Sequence, residues 1–182
     1  MTALLVILVL VAGLIGYYIK LNNHIVKLEE NVWNAWSDID VQLRMRFDLV
    51  DNLVETVKWY AKHEKSTFKE IVEARNKFAT ATDVKSKADA DNMLTTSLKS
   101  LFALSEAYPE LKSNENFLSL QSELSDIENK IASARRYFNA ATREYNTAVQ
   151  EFPANVLFHK QPEDYFEGSE EAKKAPKVKF DD

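Results

Sequence analysis

The first 19 residues contain no charged side chain, and almost all of them are apolar. An apolar run of this length is at the short end of what crosses the ~30 Å hydrocarbon core of a bilayer as a helix. Tyr17 and Tyr18 lie where interfacial aromatic residues are enriched, and Lys20 follows at the water edge. We therefore expect residues 1–19 to form a transmembrane anchor, with Tyr17, Tyr18 and Lys20 at the membrane interface. A cleaved signal peptide is the alternative, but no Lys or Arg precedes the run and no Ala-x-Ala site follows it.

Beyond the anchor, apolar residues recur every three or four positions, which is typical of helices that bury one face. The next glycine after Gly16 is Gly168, so the intervening chain lacks a residue that weakens helices. The clearest periodicity keeps a coiled-coil-like a/d spacing over five heptads, up to residue 152. Ser113 or Asn114 is the predicted N-cap of this helix, and Pro153 marks its end. Its predicted inner face consists of Phe117, Leu120, Leu124, Ile127, Ile131, Ala134, Phe138, Ala141, Tyr145, Ala148 and Phe152.

The segment from residue 21 to residue 80 also keeps a helical period throughout. A single helix of that length would span about 90 Å, far more than its neighbours. A break is more economical, and Asp48, followed by Asp51 three residues later, is a suitable helix-start signal. We predict two helices, at about 21–46 and 49–80. One kinked helix continuous with the anchor is the alternative.

A further helix is predicted at about residues 86–107, where Ser86 and Asp89 form a capping-box-like pair. Together these elements predict an all-α protein with an N-terminal transmembrane helix, an up-and-down four-helix bundle and a C-terminal extended tail. The aromatic residues of the tail favour docking on the bundle. Its end, KAPKVKFDD, is either a partner-binding strand or part of the docked tail. The predicted domains are the anchor at 1–19, the bundle at 20–152 and the tail at 153–182.

Composition narrows the possible chemistry. A net charge of −5 disfavours nucleic acid as a partner, and the absence of cysteine excludes disulfides and thiolate sites. None of the three histidines ends a Glu-x-x-His di-iron motif. His63 and Glu64 begin a zinc-protease motif, but Thr67 occupies the place of its second histidine. There is no glycine-rich phosphate loop. We expect no enzyme activity, catalytic residue, metal, cofactor or small-molecule substrate.

A cluster of charges and tryptophans stands out in the first half of the chain. Asp40, Arg44 and Asp48 are spaced i, i+4 and i+8, so they share one helix face and can pair along it. Such a cluster is either an exposed ion ladder of small energetic weight or a partly buried network that fixes helix register or receives a partner. Trp33 and Trp59 lie partly off the apolar stripe and are candidates for a contact patch. The candidate interaction face consists of Trp33, Trp36, Asp40, Arg44, Arg46, Asp48 and Asn52.

Three stretches of the chain resemble the LemA family. The first is NAWSDIDVQLRMRFDLVDNLVETVKWYAKHE, residues 34–64. The second is YPELKSNENFLSLQSELSDIENKIASARRYFNAATREYNTAVQEFPAN, residues 108–155, and the third is YFEGSEEAKKAPKVKF, residues 165–180. The chain departs from the family pattern at Asp51, where proline is common. The matching motif residues are Asn34, Trp36, Asp40, Arg46, Asp48, Asn52, Asn129, Arg135, Asn139 and Tyr145.

The resemblance implies an N-terminal transmembrane helix, a helical-bundle body and a role in bacterial envelope or internal-membrane organisation. It supplies no catalytic residues. It favours an interaction or scaffold module whose partners are other proteins, membrane proteins among them. Ala12 and Gly16 form a small-xxx-small pair, so a second copy of the chain is a further candidate partner. The alternative function is that of an accessory factor that modulates a protease in membrane protein quality control.

Flanking charge predicts the orientation of the anchor. Lys20 and Lys27 follow the apolar run, whereas no Lys or Arg precedes it. Under the positive-inside rule, the N-terminus lies outside and the body lies in the cytoplasm. The expected location is the bacterial inner membrane, which the chain crosses once.

Overall fold

The computed structural model describes residues 1–62 and 64–166 of the 182-residue chain. Within these ranges the chain is helical and contains no strand, which confirms the all-α class. The predicted strand at residues 174–182 lies outside them. The helices are α1 (Thr2–Tyr60), α2 (Lys65–Thr80), α3 (Val84–Ser105), α4 (Pro109–Lys112), α5 (Glu115–Gln150) and α6 (Ala154–Leu157).

The longest element, α1, begins in the apolar run and continues without interruption for 59 residues. The predicted break at Asp48 is therefore wrong, and the alternative of one helix continuous with the anchor is right as far as Tyr60. Asp48 lies in the middle of α1 with its side chain exposed, and an exposed carboxylate does not interrupt a helix. The helix ends at Tyr60, and the backbone of the next residue, Ala61, leaves the helical region at φ −118° and ψ 48°. The Ala61 N–H closes the last turn by donating to the Val57 carbonyl oxygen at 2.9 Å.

The apolar part of α1 projects from the rest of the protein. Its residues are exposed as far as Lys20, and an 18-residue window has a mean hydropathy of 2.5. Within the described ranges, α1 is the single helix long and apolar enough to cross a membrane. The predicted apolar N-terminal helix is thus confirmed.

The starts of α3 and α5 show how capping places the helices. Asp83 caps α3 by accepting a hydrogen bond from the Ser86 N–H at 2.8 Å, so the predicted pair of Ser86 with Asp89 lies one turn too late. Asn114 caps α5 by accepting from the Phe117 N–H at 3.0 Å, as predicted. Since α5 ends at Gln150, Phe152 lies beyond it and is exposed, contrary to its predicted core position.

The helices pack in two main pairs, α1 with α5 and α2 with α3. Along the first pair, the rings of Trp36 and Phe138 lie 5.7 Å apart, and Arg46 lies 3.0 Å from Glu128. Positions rise along α1 as they fall along α5, so these two helices are antiparallel. Two apolar clusters follow their length, a proximal core on the side of the apolar run and a distal core on the other.

The two cores draw on different elements. The distal core combines α1, α2, α3, α4 and α5, with Leu53, Leu94 and Leu101 fully buried. The proximal core consists mainly of α1 and α5 residues, such as Ile39 and Phe138. Ala154 of α6 and Phe166 complete it, because the chain beyond α6 returns along α5.

Candidate interaction surface

The outward face of α1 carries large apolar side chains between its polar ones. Trp33 and Trp59 are 60% and 78% exposed, and Val41 and Met45 are also exposed. An α-helix turns 100° per residue, so Val41, Met45 and Trp59 fall on the side of α1 that faces away from both cores, whereas Trp33 lies roughly a quarter turn to one side of them. Tryptophan and methionine are enriched in protein contact surfaces, so Trp59 and Met45 make this face a candidate for one.

A groove runs between this face and α5, and we call it the α1–α5 groove. It consists of three successive hollows of about 410, 350 and 630 Å³. The first two hollows share Lys130, and the last two share Asn52. On α1 the groove extends from Asp38 to Tyr60, a rise of roughly 33 Å. A groove of this length between two helices has the dimensions of a seat for a third helix.

The α1–α5 groove is lined by large apolar side chains in its central hollow and by acidic side chains in all three hollows. Leu49 and Ile127 lie in the central hollow together with Met45. Lys130 is the one basic residue among the lining residues that the structure describes. The acidic lining residues are Asp38, Asp48, Glu55, Glu110, Glu123 and Asp126.

Beneath this surface, a buried ion network joins three helices. Asp91 of α3 is fully buried, and its two carboxylate oxygens each lie 2.7 Å from a guanidinium nitrogen, one of Arg46 and one of Arg135. Arg46 also donates to Thr95 Oγ1 at 3.0 Å. Glu128 lies 3.0 Å from Arg46, without the geometry of a hydrogen bond. Burial raises the pKa of Asp91 above its ordinary value of 3.8, although Arg46 and Arg135 oppose that change.

A second ionic cluster lies nearer the surface, between α1 and α3. Asp40 accepts hydrogen bonds from Arg44, at 2.8 Å, and from Lys87 of α3. The Lys87 ammonium also lies 5.6 Å from the Trp36 ring and 5.1 Å from the Phe78 ring, within cation–π range. Partial burial would raise the pKa of Asp40, but hydrogen bonding and charge from Lys87, then from Arg44, hold it below 3.8.

Comparison with known proteins identifies the family. Residues 35–180, about four-fifths of the chain, match the LemA family. The chain belongs to the LemA family. This confirms the assignment that the three motif stretches predicted.

Named relatives within this family are magnetosome proteins. The chain is 27% identical over 161 residues to the magnetosome protein MamQ of Magnetospirillum gryphiswaldense, an alignment that covers 74% of this chain and 59% of MamQ. It is 26% identical over 182 residues to the magnetosome proteins MamQ 1 and MamQ 2 of Paramagnetospirillum magneticum, covering 85% of this chain and 67% of each relative. The chain thus spans about three-fifths to two-thirds of the length of these relatives.

Several LemA-motif residues of this chain are internal. Arg46 and Arg135 both bind Asp91, so they connect α1 and α5 through α3. Asn139 holds the returning chain by hydrogen bonds to the backbone of Phe166, at 2.9 and 3.1 Å. Tyr145 Oη donates to the Gln161 carbonyl oxygen at 3.3 Å. In this chain, these four motif residues therefore build the fold rather than its outer surface.

The residues of the predicted interaction face do not form one surface. Arg46 is only 4% exposed and points into the ion network, where no partner can reach it. Trp33, Trp36, Asp40 and Arg44 lie on the side of α1 next to α3 and the returning chain, with Trp33 and Arg44 exposed. Asp48 and Asn52 lie in the α1–α5 groove on the other side.

Sequence reasoning missed two parts of this site. The α5 side of the groove was not foreseen, because Glu123 and Asp126 carry no local signal that separates them from other exposed acids. Asp91 did carry a signal, since it shares the buried face of α3 with Leu94, Leu98 and Leu101 at helical spacing. Within the described ranges, no group of three or more histidine and acidic side chains could hold a metal ion.

Proposed function

We propose that the protein is a single-pass membrane-anchored interaction module that helps to organise a bacterial membrane or envelope. Residues 1–19 anchor it, and its body presents the α1–α5 groove to another protein on the cytoplasmic side. The groove is the observation that carries the proposal, because it combines an apolar central hollow, the exposed Trp59 and a length that suits a bound helix. The protein then acts by binding and not by catalysis.

Two further observations support this function. The exposed apolar run of α1 suits the interior of a bilayer better than water. The MamQ relatives are named as magnetosome proteins, which supports a role in building or maintaining a cell structure. The proposed partners are other proteins at the membrane, a second copy of this chain included.

The acidic side chains of the groove define the proposed partner's chemistry. Charge complementarity favours a helix with Lys or Arg along both flanks of an apolar stripe. Met45 and Trp59 would then contact the apolar stripe, and Asp48 and Asp126 would pair with the flanking cations. Such rim charges affect the association rate and its salt dependence more than the final affinity.

Photocrosslinking in intact membranes tests the binding surface. A photoreactive amino acid replaces Met45 or Trp59 in the groove, and Val72, an exposed apolar residue of α2, serves as the matched control. We expect one protein to be captured from both groove positions and not from Val72. The yield of the crosslinked adduct should fall several-fold when the chain also carries Asp48→Lys and Asp126→Lys. Equal capture from all three positions, or capture that ignores the charge reversal, would contradict the proposal.

Cysteine labelling tests the anchor. Because the chain has no native cysteine, an introduced thiol is the only site that a maleimide can label. Thr2→Cys and Val72→Cys place single thiols on the two proposed sides of the membrane. A membrane-impermeant maleimide should label Thr2→Cys in intact spheroplasts and label Val72→Cys only after lysis. The reverse pattern would place the body outside, and labelling of neither position would leave residue 2 on the cytoplasmic side.

A further inference from the structure

The corner between α5 and α6 exposes three large apolar side chains. Phe152, Val156 and Leu157 are 82%, 60% and 45% exposed, and we call them the corner patch. They lie within six residues of one another, on either side of the point where the chain leaves α5 and begins the short helix α6 at Ala154. A group of large exposed apolar side chains in a short stretch of chain favours contact with another apolar phase over contact with water.

The corner patch lies at the level where α1 leaves its apolar run. The ring of Phe158, directly after α6, lies 5.2 Å from the ring of Tyr18. The antiparallel pairing of α1 with α5 brings Gln150 level with roughly residue 24 of α1, about one turn past Lys20. Lys160 then pairs with Glu29 at 2.8 Å, which holds the returning chain beside the same part of α1.

We propose that the corner patch dips into the headgroup and upper acyl region of the bilayer that α1 crosses. Its occupant is lipid, because continuity with the apolar run through Tyr18 places the patch at the membrane surface. The inference rests on the proposed anchoring of residues 1–19 and extends it, since it gives the body a second membrane contact.

Two membrane contacts would fix the orientation of the body. A single transmembrane helix leaves the domain behind it free to rotate about the helix axis. When the corner patch stays in the membrane interface, it prevents this rotation and holds the α1–α5 groove at a constant angle to the membrane. Phe and aliphatic side chains bury in the interface without lipid charge, so we expect the contact to form on neutral phosphatidylcholine and to be insensitive to salt.

Spin labels on the full chain in phosphatidylcholine vesicles test the proposal. Val156→Cys reports the corner patch, and Tyr17→Cys reports the anchor. Leu118→Cys is the matched control, because Leu118 is an exposed apolar residue at the other end of α5. Collisions with oxygen, which enters lipid, are compared with collisions with a water-soluble nickel chelate. We expect labels 17 and 156 to favour oxygen several-fold over label 118, and Phe152→Asp to shift label 156 towards nickel.

The outcomes separate this inference from the proposed function. If label 17 reports lipid and label 156 matches label 118, the anchor stands and the corner contact is refuted. If label 17 itself reports water, the anchoring fails and the corner contact fails with it. If label 156 is shielded from both reagents, a protein surface covers the patch, and lipid is the wrong occupant.

Discussion

The distal and proximal cores solve the same packing problem in different ways. In the distal core, residues from five helices surround fully buried side chains such as Leu53 and Leu101. In the proximal core, α1 and α5 run on beyond the shorter pair α2 and α3, so two helices alone cannot enclose their shared face. Where two amphipathic helices extend beyond their neighbours, another part of the chain must cover the apolar face that they share.

The returning chain after α6 supplies that cover, and polar side chains hold it. Asn146 accepts from the Glu163 N–H at 2.8 Å and donates to the Glu163 carbonyl oxygen at 2.9 Å. Asn139, two turns earlier on α5, does the same for Phe166. Each asparagine satisfies both backbone groups of one residue of the returning chain, and the Phe166 side chain completes the core with 1% of its surface exposed. The proximal core is thus specified by hydrogen bonds as well as by apolar area.

The largest expected effect comes from the ion network that joins α1, α3 and α5. Arg46→Met should lower the free energy of unfolding by about 3–5 kcal/mol, because it leaves Asp91 buried with only Arg135 to compensate its charge. Urea unfolding of the full chain in detergent micelles, followed by circular dichroism, measures the change. The triple variant Arg46→Met/Asp91→Leu/Arg135→Met should regain most of the loss, since apolar side chains of similar volume often replace a whole buried ion network without cost.

Arg44→Met is the matched control for this effect. Arg44 lies two positions from Arg46 on the same helix and pairs with Asp40, but its side chain is largely exposed. Its loss should cost less than about 1 kcal/mol. Equal losses from Arg44→Met and Arg46→Met would show that the buried network does not connect the helices as described.

An intermediate effect, confined to the proximal core, is expected from Asn146→Ala. The substitution leaves the Glu163 N–H and carbonyl without their partner, at a cost of about 1–3 kcal/mol. Hydrogen–deuterium exchange should show faster exchange at residues 160–166 and unchanged exchange at residues 94–101 of α3, which belong to the distal core. Asn155→Ala, at an exposed asparagine of α6, should change neither region. Equal acceleration in α3 would mean that the two cores open together.

The contrast between the cores also explains what the sequence could predict. Apolar periodicity identified the helices and most of the buried face of α5, because burial of one face imposes that period directly. The Asn114 cap followed from a local hydrogen bond. The end of α1 could not be predicted in this way. The length of the other helices sets no limit on α1, because its first part projects from the body and needs no partner there. The hydrogen bonds of Asn139 and Asn146 were also beyond prediction, since they depend on where a distant segment returns.

The candidate site divides along the same line. The charges around Asp40 drew attention because they cluster in sequence, and the exposed pair with Arg44 matches their spacing. Lys87 and Asp91 were missed because they approach α1 from α3, through pairing of residues more than 40 positions apart. The sequence leaves this cluster open between an exposed ion ladder and a partly buried network, and for Arg46 the distant partner Asp91 makes it the buried network. Periodicity alone gives the face of a helix but not the identity of the buried partner that a charged residue finds.

The smallest expected effect is the pH dependence of Asp40, whose carboxylate joins α1 to α3 beside the proximal core. Because the folded pKa of Asp40 lies below its ordinary value of 3.8, its contribution is present above that value and is lost as the pH falls through the folded pKa. Asp40→Asn should therefore lower the free energy of unfolding by less than about 1 kcal/mol at pH 7, and the difference from wild type should shrink below pH 4. The pH dependence that Asp91 contributes has the opposite sign. Because its folded pKa is raised, Asp91 favours the folded state at low pH, and this contribution is lost as the pH rises through the folded pKa. Urea titrations of wild type and Asp40→Asn from pH 3 to pH 7 measure this difference in the free energy of unfolding. Asp89→Asn, which changes an exposed carboxylate of α3, is the control. A gap that widens on acidification would mean that Lys87 and Arg44 do not stabilise the Asp40 carboxylate, and that α1 and α3 are held here by the Asp91 network alone.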